Sequence, residues 1–178
     1  MVRLLHEQDT PIASQLSAEA GWNQTEDDWR MLLHLSPANC FGIDADGRLV
    51  ATATLICYGK ELGWIGMVLT NRAYQRRGFA RTLLLHSIAR ADKLGIESLK
   101  LDATDQGQPL YETLGFRVEQ PVERWWHPAT VSGAGPRPAN SLKPAVDLHM
   151  ASDPVRHEAG RGPGPDASGR RPGRTGQR

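Results

Sequence analysis

Apolar and polar residues recur along this chain with two periods, one near 3.6 and one of 2, and the order in which they alternate outlines the elements. Val2 and Leu4 flank Arg3 in a short first strand over residues 2–6. Asp9 or Thr10 can cap a helix with Pro11 at its start, where a missing N–H removes no helical bond. Ile12, Leu16 and Ala20 follow at helical spacing, and Gly21 stops the run. Thr25 caps a second helix, with Glu26, Asp27 and Asp28 at the positive end of its dipole. Trp29, Leu32, Leu33 and Leu35 supply its apolar face, and Pro37 closes it.

The period then drops to two. Residues 40–44 and 48–58 read as strands joined at Asp44-Ala45-Asp46-Gly47, a sequence that suits a tight hairpin. A turn at Gly59-Lys60-Glu61 leads into a third strand, residues 62–69, so three consecutive antiparallel strands are predicted. From Gly78 the helical period returns through Ala80, Leu83, Leu84, Ile88, Ala91 and Leu94, with Gly95 as its C-terminal stop. A strand at Ser98–Ala103, a short helix at residues 109–114 and an extended run at residues 116–126 complete the body. The fold class predicted is α/β of the α+β kind, a mixed and mostly antiparallel sheet flanked by helices.

Composition divides the 178 residues. Residues 129–178 hold 8 Gly and 7 Pro, a level at which too little apolar surface is available to offset the entropy of ordering. Within them, Val146, Leu148 and Met150 alternate, leaving residues 145–150 as a candidate last strand. The domain is therefore expected to span residues 1–128, with that strand as its possible completion and residues 151–178 as a disordered tail. Lys and Arg number 13 against 16 Asp and Glu in residues 1–128, and 8 against 4 beyond them, so the basic excess belongs to the tail. That excess is small and has no aromatic residues interleaved, so nucleic acid is not the expected partner. Cys40 and Cys57 lie in apolar strand-like runs and read as free thiols, with no metal-ligand spacing among the histidines. No apolar run reaches the ~20 residues that span a bilayer, and a cytoplasmic location without a membrane partner is expected.

The chemistry concentrates at one turn. The apolar strand through Trp64 to Leu69 ends in a polar loop, Gln75-Arg76-Arg77-Gly78-Phe79-Ala80, which opens directly into the long helix. A helix start offers about four N–H groups without intrahelical partners, together with the positive end of the dipole. Gly78 lets an anion approach the backbone, and Arg76, Arg77 and Arg81 add positive charge or stay solvated. An anionic, phosphate-bearing ligand is the inference.

The element order and two motifs resemble the GNAT superfamily of acyl-CoA-dependent N-acyltransferases. Gln75-Arg76-Arg77-Gly78-Phe79-Ala80 is similar to the family's pyrophosphate-loop signature, and Leu110-Tyr111-Glu112-Thr113-Leu114-Gly115-Phe116 to a second one, at the usual separation. More narrowly, Gly66-Met67-Val68-Leu69-Thr70, Lys100-Leu101-Asp102-Ala103-Thr104, Pro109-Leu110-Tyr111-Glu112 and Arg124-Trp125 resemble a bacterial subgroup that often carries a second, C-terminal domain.

The resemblance implies a sheet splayed at a CoA site, acetyl-CoA as cosubstrate, an amine acceptor, no metal, and a monomer or homodimer. It implies that Met67, Val68 and Leu69 bind the pantetheine arm through their backbone, and that Gln75, Arg76, Arg77, Gly78, Phe79, Ala80 and Arg81 bind the pyrophosphate. Tyr111 would be the general acid for the departing thiolate, since a phenol and a thiolate are of similar basicity. Thr104 stands where the family usually has asparagine, and its hydroxyl can still hydrogen-bond to the cofactor. Asp102, Glu61 and His34 are the general-base candidates, Asp102 foremost because a carboxylate inside a strand demands a partner. Trp64, Trp125 and Trp126 either wall an acceptor pocket or pack in the core.

Three functions remain open at this level: an acetyl-CoA-dependent N-acetyltransferase working by direct attack, a CoA-binding module without transferase activity, and a nucleic-acid-associated protein using the tail. No Cys or Ser lies in a nucleophile motif, which favours direct transfer.

Overall fold

A computed structural model of the chain describes residues 1–122 and the backbone of residues 145–151. The strands are β1 (Val2–Leu4), β2 (Cys40–Ala45), β3 (Arg48–Tyr58), β4 (Leu62–Thr70), β5 (Ser98–Ala103), β6 (Arg117–Val122) and β7 (Ala145–Ala151). The helices among the described residues are α1 (Thr10–Glu19), α2 (Glu26–Leu35), α3 (Phe79–Leu94) and α4 (Gln108–Thr113). The seven strands among the described residues form one sheet in the order β1-β2-β3-β4-β5-β7-β6. Every ladder is antiparallel except β4–β5, which gives the mixed, mostly antiparallel sheet expected.

Local chemistry accounts for the boundaries. Asp46 and Gly47 both take positive φ (51° and 75°), the conformation that lets a two-residue turn follow the strand twist of β2 and β3. At α2 the N–H of Asp28 donates to Thr25 Oγ1 at 3.3 Å, while the N–H of Thr25 donates to Asp28 Oδ2 at 2.7 Å, a reciprocal cap. Arg3 forks between Asp9 (2.8 and 2.9 Å) and Asp44 (2.6 and 2.8 Å), tying the start of α1 to the β1–β2 pair.

Successive strand residues point to opposite faces, and the core divides accordingly. Cys40 packs with Ala13, Leu16, Trp29, Leu33, Leu49 and Leu69 beneath α1 and α2. Its neighbour Phe41 packs with Ile43, Val50, Ala53 and Leu83 beneath α3. Further along α3, Leu84 and Ala91 meet Leu55, Ile65, Leu99, Leu101, Tyr111 and Phe116.

The helical stripes differ in detail from the periodicity. In α1 the buried positions are Thr10, Ala13, Leu16 and Ser17, and Ile12 is exposed. The stripe is rotated because Ser17 is needed inside: its Oγ accepts from the buried indole of Trp29 at 3.0 Å and donates to Ala13 O at 3.2 Å. Leu35, at the last turn of α2, is also exposed, as is Val118 on β6. Trp125, Trp126, His127 and the expected disordered tail lie outside the described residues.

One departure from regular pairing positions the site. The parallel β4–β5 ladder contains only the pairs Gly63↔Leu99 and Trp64↔Lys100. Beyond Trp64 the two strands continue to Thr70 and Ala103 without pairing, so the sheet opens like a V. On its other edge β4 slips register against β3 between Thr52 and Thr54, across a bulge. Met67, inside that bulge, has φ of 49°, which an L side chain adopts only under constraint. Buried Thr52 supplies the constraint, its hydroxyl donating to Met67 O at 2.8 Å.

Candidate active site

A cavity of about 1120 Å³ fills the opening between β4 and β5 and runs to the start of α3. Its β4 wall is the stretch from Trp64 to Thr70, and Leu101, Asp102 and Thr104 form the facing wall. A strand edge without a neighbour leaves peptide N–H and C=O groups to be satisfied by something else, and an amide-bearing chain laid along it can do so. Met67, Val68 and Leu69 all line this wall.

At the upper end lies the loop before α3. Among the described residues, the backbone N–H groups of residues 75–81 take no hydrogen-bond acceptor; the first amide to do so is that of Thr82, to Gly78 O at 2.9 Å. A row of free donors at the start of a 16-residue helix, with the positive end of its dipole, is suited to hold an anion. Gly78, the N-cap residue, has φ of 84°, and a Cβ there would meet nothing within 4 Å. Its requirement is thus conformational and the space beside it is free for a ligand. Gln75, Arg76, Gly78, Phe79, Ala80 and Arg81 line the cavity. Arg77 does not. Its guanidinium lies 4.9 Å from the ring centre of Tyr74, within cation–π range.

Tyr111, near the middle of α4, reaches the same cavity. Its ring packs against Gly107, where a Cβ would stand 2.9 Å from the tyrosine Cε2, so only glycine admits the ring in this place. Phe116 meets it edge-on at 6.3 Å. Burial pushes the Tyr111 phenol up to about 12, so it is protonated at any physiological pH. Thr104 lines the cavity while its Oγ1 accepts the N–H of Gly107 at 3.3 Å, which shapes the entry to α4.

Of the three base candidates, Asp102 lines the cavity. His34 lines a separate hollow of about 310 Å³ with Leu5, His6 and Pro37, and Glu61 lines neither. The structure also brings in residues that the sequence did not single out for the site. Trp22 and Gln24, from the α1–α2 connection, and Gly66 on β4 join Trp64 in the lining. Two buried side-chain atoms lack hydrogen-bond partners among the described residues, Gln24 Oε1 and Thr70 Oγ1, and both residues belong to this cavity. A buried polar atom that faces a cavity can take its partner from solvent or from a ligand there. The one signal for Trp22 was an aromatic residue in a short polar link; nothing local marked Gln24.

Among the described residues no group of three His, Cys, Asp or Glu side chains is arranged to hold a metal ion, and no helix is long and apolar enough to cross a membrane.

Comparison with known proteins bears on this geometry. Residues 3–116 match a family model described as the acetyltransferase (GNAT) family. A curated relative, the uncharacterised N-acetyltransferase YitH of Bacillus subtilis, is 29% identical over 123 residues, which are 68% of this chain and 42% of YitH. The chain thus aligns with well under half the length of that relative. Among solved structures, Ard1 from Thermoplasma volcanium superposes with a TM-score of 0.72 at 12% identity, covering 85% of this chain and 96% of that one. Rv2747 from Mycobacterium tuberculosis, solved in complex with CoA, superposes with a TM-score of 0.64 at 13% identity, covering 85% and 99%.

Proposed function

Given that the chain belongs to the GNAT acetyltransferase family, we propose that it transfers an acetyl group from acetyl-CoA to a primary amine, on a small molecule or a protein, by direct attack. The observation that carries this reading is the unpaired β4 edge leading up to the free amides of residues 75–81, since one ligand with a peptide-like arm and a pyrophosphate satisfies both. Met67, Val68 and Leu69 take the pantetheine arm, and Gln75, Arg76, Gly78, Phe79, Ala80 and Arg81 take the pyrophosphate. A backbone N–H of residues 67–69 polarises the thioester carbonyl.

The acceptor arrives as an ammonium ion and gives a proton to a base, for which Asp102 is the candidate within the cavity. The amine lone pair then forms the C–N bond, the C–S bond breaks, and the thiolate leaves. The base passes its proton to solvent, the second amine proton follows, and the thiolate takes one back from solvent, so the net reaction consumes an ammonium ion and a thioester and yields an amide, a thiol and one proton. Tyr111 donates its hydrogen bond to the departing sulfur. At about 12, the phenol is a weaker acid than an ordinary thiol near 8.5, which puts complete transfer about 5 kcal/mol uphill. A thiolate in the same buried site is raised by the same desolvation, which narrows that gap once the cofactor is in place.

The test is release of free thiol from acetyl-CoA on adding amines, polyamines, aminoglycosides or peptides. Turnover with at least one class is expected. A second reading, a CoA-binding module without transferase activity, draws on the placement of His34 and Glu61 outside the cavity. Binding of acetyl-CoA with no turnover across the whole panel would favour it.

A further inference from the structure

The loop that presents the free amides has little of its own to hold its shape. Arg76 (φ 60°) and Gly78 (φ 84°) are both left-handed, no backbone N–H from residue 75 to residue 78 makes a hydrogen bond among the described residues, and the side-chain bond from Gln75 Nε2 to Thr70 O at 3.3 Å anchors only the start of the loop. A segment of this kind has other conformations of similar energy, so the one observed must be selected from outside.

Tyr74 does the selecting. It is buried at the end of a 3₁₀ turn (Arg72–Tyr74) immediately before the loop, and one side of it lines the cavity. Its hydroxyl donates to Asp46 Oδ2 at 2.6 Å, and Arg48 Nη2 donates to the same hydroxyl at 3.5 Å. The guanidinium carbons of Arg77 and Arg48 stand 4.9 and 5.2 Å from its ring centre. Phe79, the first residue of α3, meets the ring at 6.4 Å. Arg77 inside the loop and Phe79 just beyond it therefore rest on one ring, and that ring is fixed by the hairpin turn between β2 and β3.

We propose that Asp46 and Tyr74 form a clamp that pre-shapes the pyrophosphate cradle, and that Arg77 is the strap of this clamp and not a phosphate ligand. Asp46 and Arg77 lie outside the cavity lining and are positioning residues for donor binding, acting through Tyr74, and the proposal rests on the reading of the cavity as a CoA site. A cation–π contact at a partly exposed site is equivalent to about a two- to fivefold change in an equilibrium constant.

Titration calorimetry of the full chain with CoA tests it through a double-mutant cycle. Arg77→Met should weaken CoA about threefold in the wild-type background and have almost no effect in Tyr74→Leu, because the ring it straps is gone. S-acetylpantetheine, which has the same arm and no pyrophosphate, should bind Arg77→Met as it binds the wild type. Equal loss of CoA affinity in both backgrounds would make Arg77 a direct ligand and overturn the clamp, as would a matched loss for both ligands. If Tyr74→Leu does not fold, Tyr74→Phe and Asp46→Ala serve instead. Each should weaken CoA, and the pair together no more than the stronger one alone. Unchanged CoA affinity in both single variants overturns the proposal. Failure of the wild-type chain to bind CoA at all is a separate result, seen before any variant is made, and removes the cofactor reading itself.

Discussion

Gly78 carries two separable constraints, and substitution distinguishes them. Its φ of 84° is strained for any L side chain, at about 1–2 kcal/mol, whereas the space around its Cβ position is open. Gly78→Ala should therefore lower stability by about 1 kcal/mol in urea unfolding and reduce CoA affinity only modestly. Gly78→Glu adds a carboxylate beside the free amides, where it competes with the phosphate that the proposed function places there. It should abolish CoA binding in calorimetry while the circular dichroism of the fold is retained, and unaltered affinity would overturn the site assignment.

Tyr111 gives a second prediction at this scale, with a definite sign. Burial raises the phenol to about 12 in the folded chain, against about 10 when unfolded, so its contribution to stability is complete below pH 10 and is lost as pH climbs through 12. The loss amounts to about 2–3 kcal/mol on linkage. Cys40, whose thiol burial pushes up to about 11, adds a loss of the same sign starting lower. Comparing Tyr111→Phe with wild type by urea unfolding at pH 9 and pH 11 isolates the tyrosine, and the variant should fall less steeply. In turnover, Tyr111→Phe should cut kcat about tenfold or more while KM for acetyl-CoA holds.

At the scale of elements, the β3–β4 pair deserves its own test because a bulge and a strained residue coincide there. Thr52 holds the carbonyl of Met67, and the bulge turns the backbone of residues 67–69 along the cavity. Thr52→Val keeps the shape and removes the hydroxyl. It leaves Met67 O without this partner and should cost about 1 kcal/mol in unfolding. If residues 67–69 polarise the thioester, kcat should fall with little change in KM for acetyl-CoA, and a change confined to KM would point to a role in the pantetheine contact alone. The helices show how far pattern reading extends. Thr25 and Gly95 were legible as helix ends because capping is local chemistry. The buried stripe of α1 was not, since Ser17 is drawn inside by an indole 12 residues away.

For the whole molecule, the open V of the sheet predicts that ligand and fold are thermodynamically linked. Acetyl-CoA at about 100 times its Kd should add about 2.7 kcal/mol to stability and raise Tm by several degrees. An unchanged melting temperature at millimolar acetyl-CoA would speak against both the transferase and the module readings. The topology adds a structural point. β7 lies between β5 and β6, so residues 145–151 complete a sheet whose neighbouring strands end at residues 103 and 122.

What the chain's residues determine unaided is what depends on near neighbours: the order of strands and helices, the Asp46-Gly47 turn, the caps, and a loop before α3 whose amides stay free. Those follow from backbone preferences and side-chain spacing within a few residues. Tertiary structure alone decides the rest. It separates β4 from β5 after two pairs, brings Asp102 into the cavity while His34 and Glu61 stay out, and sets Trp22 and Gln24 in the wall. It also sets the Arg77 guanidinium over the Tyr74 ring, and that ring is held by an aspartate 28 residues before the tyrosine. Each of these outcomes is a choice between partners far apart in the chain, and a local pattern carries no energy difference by which to make it.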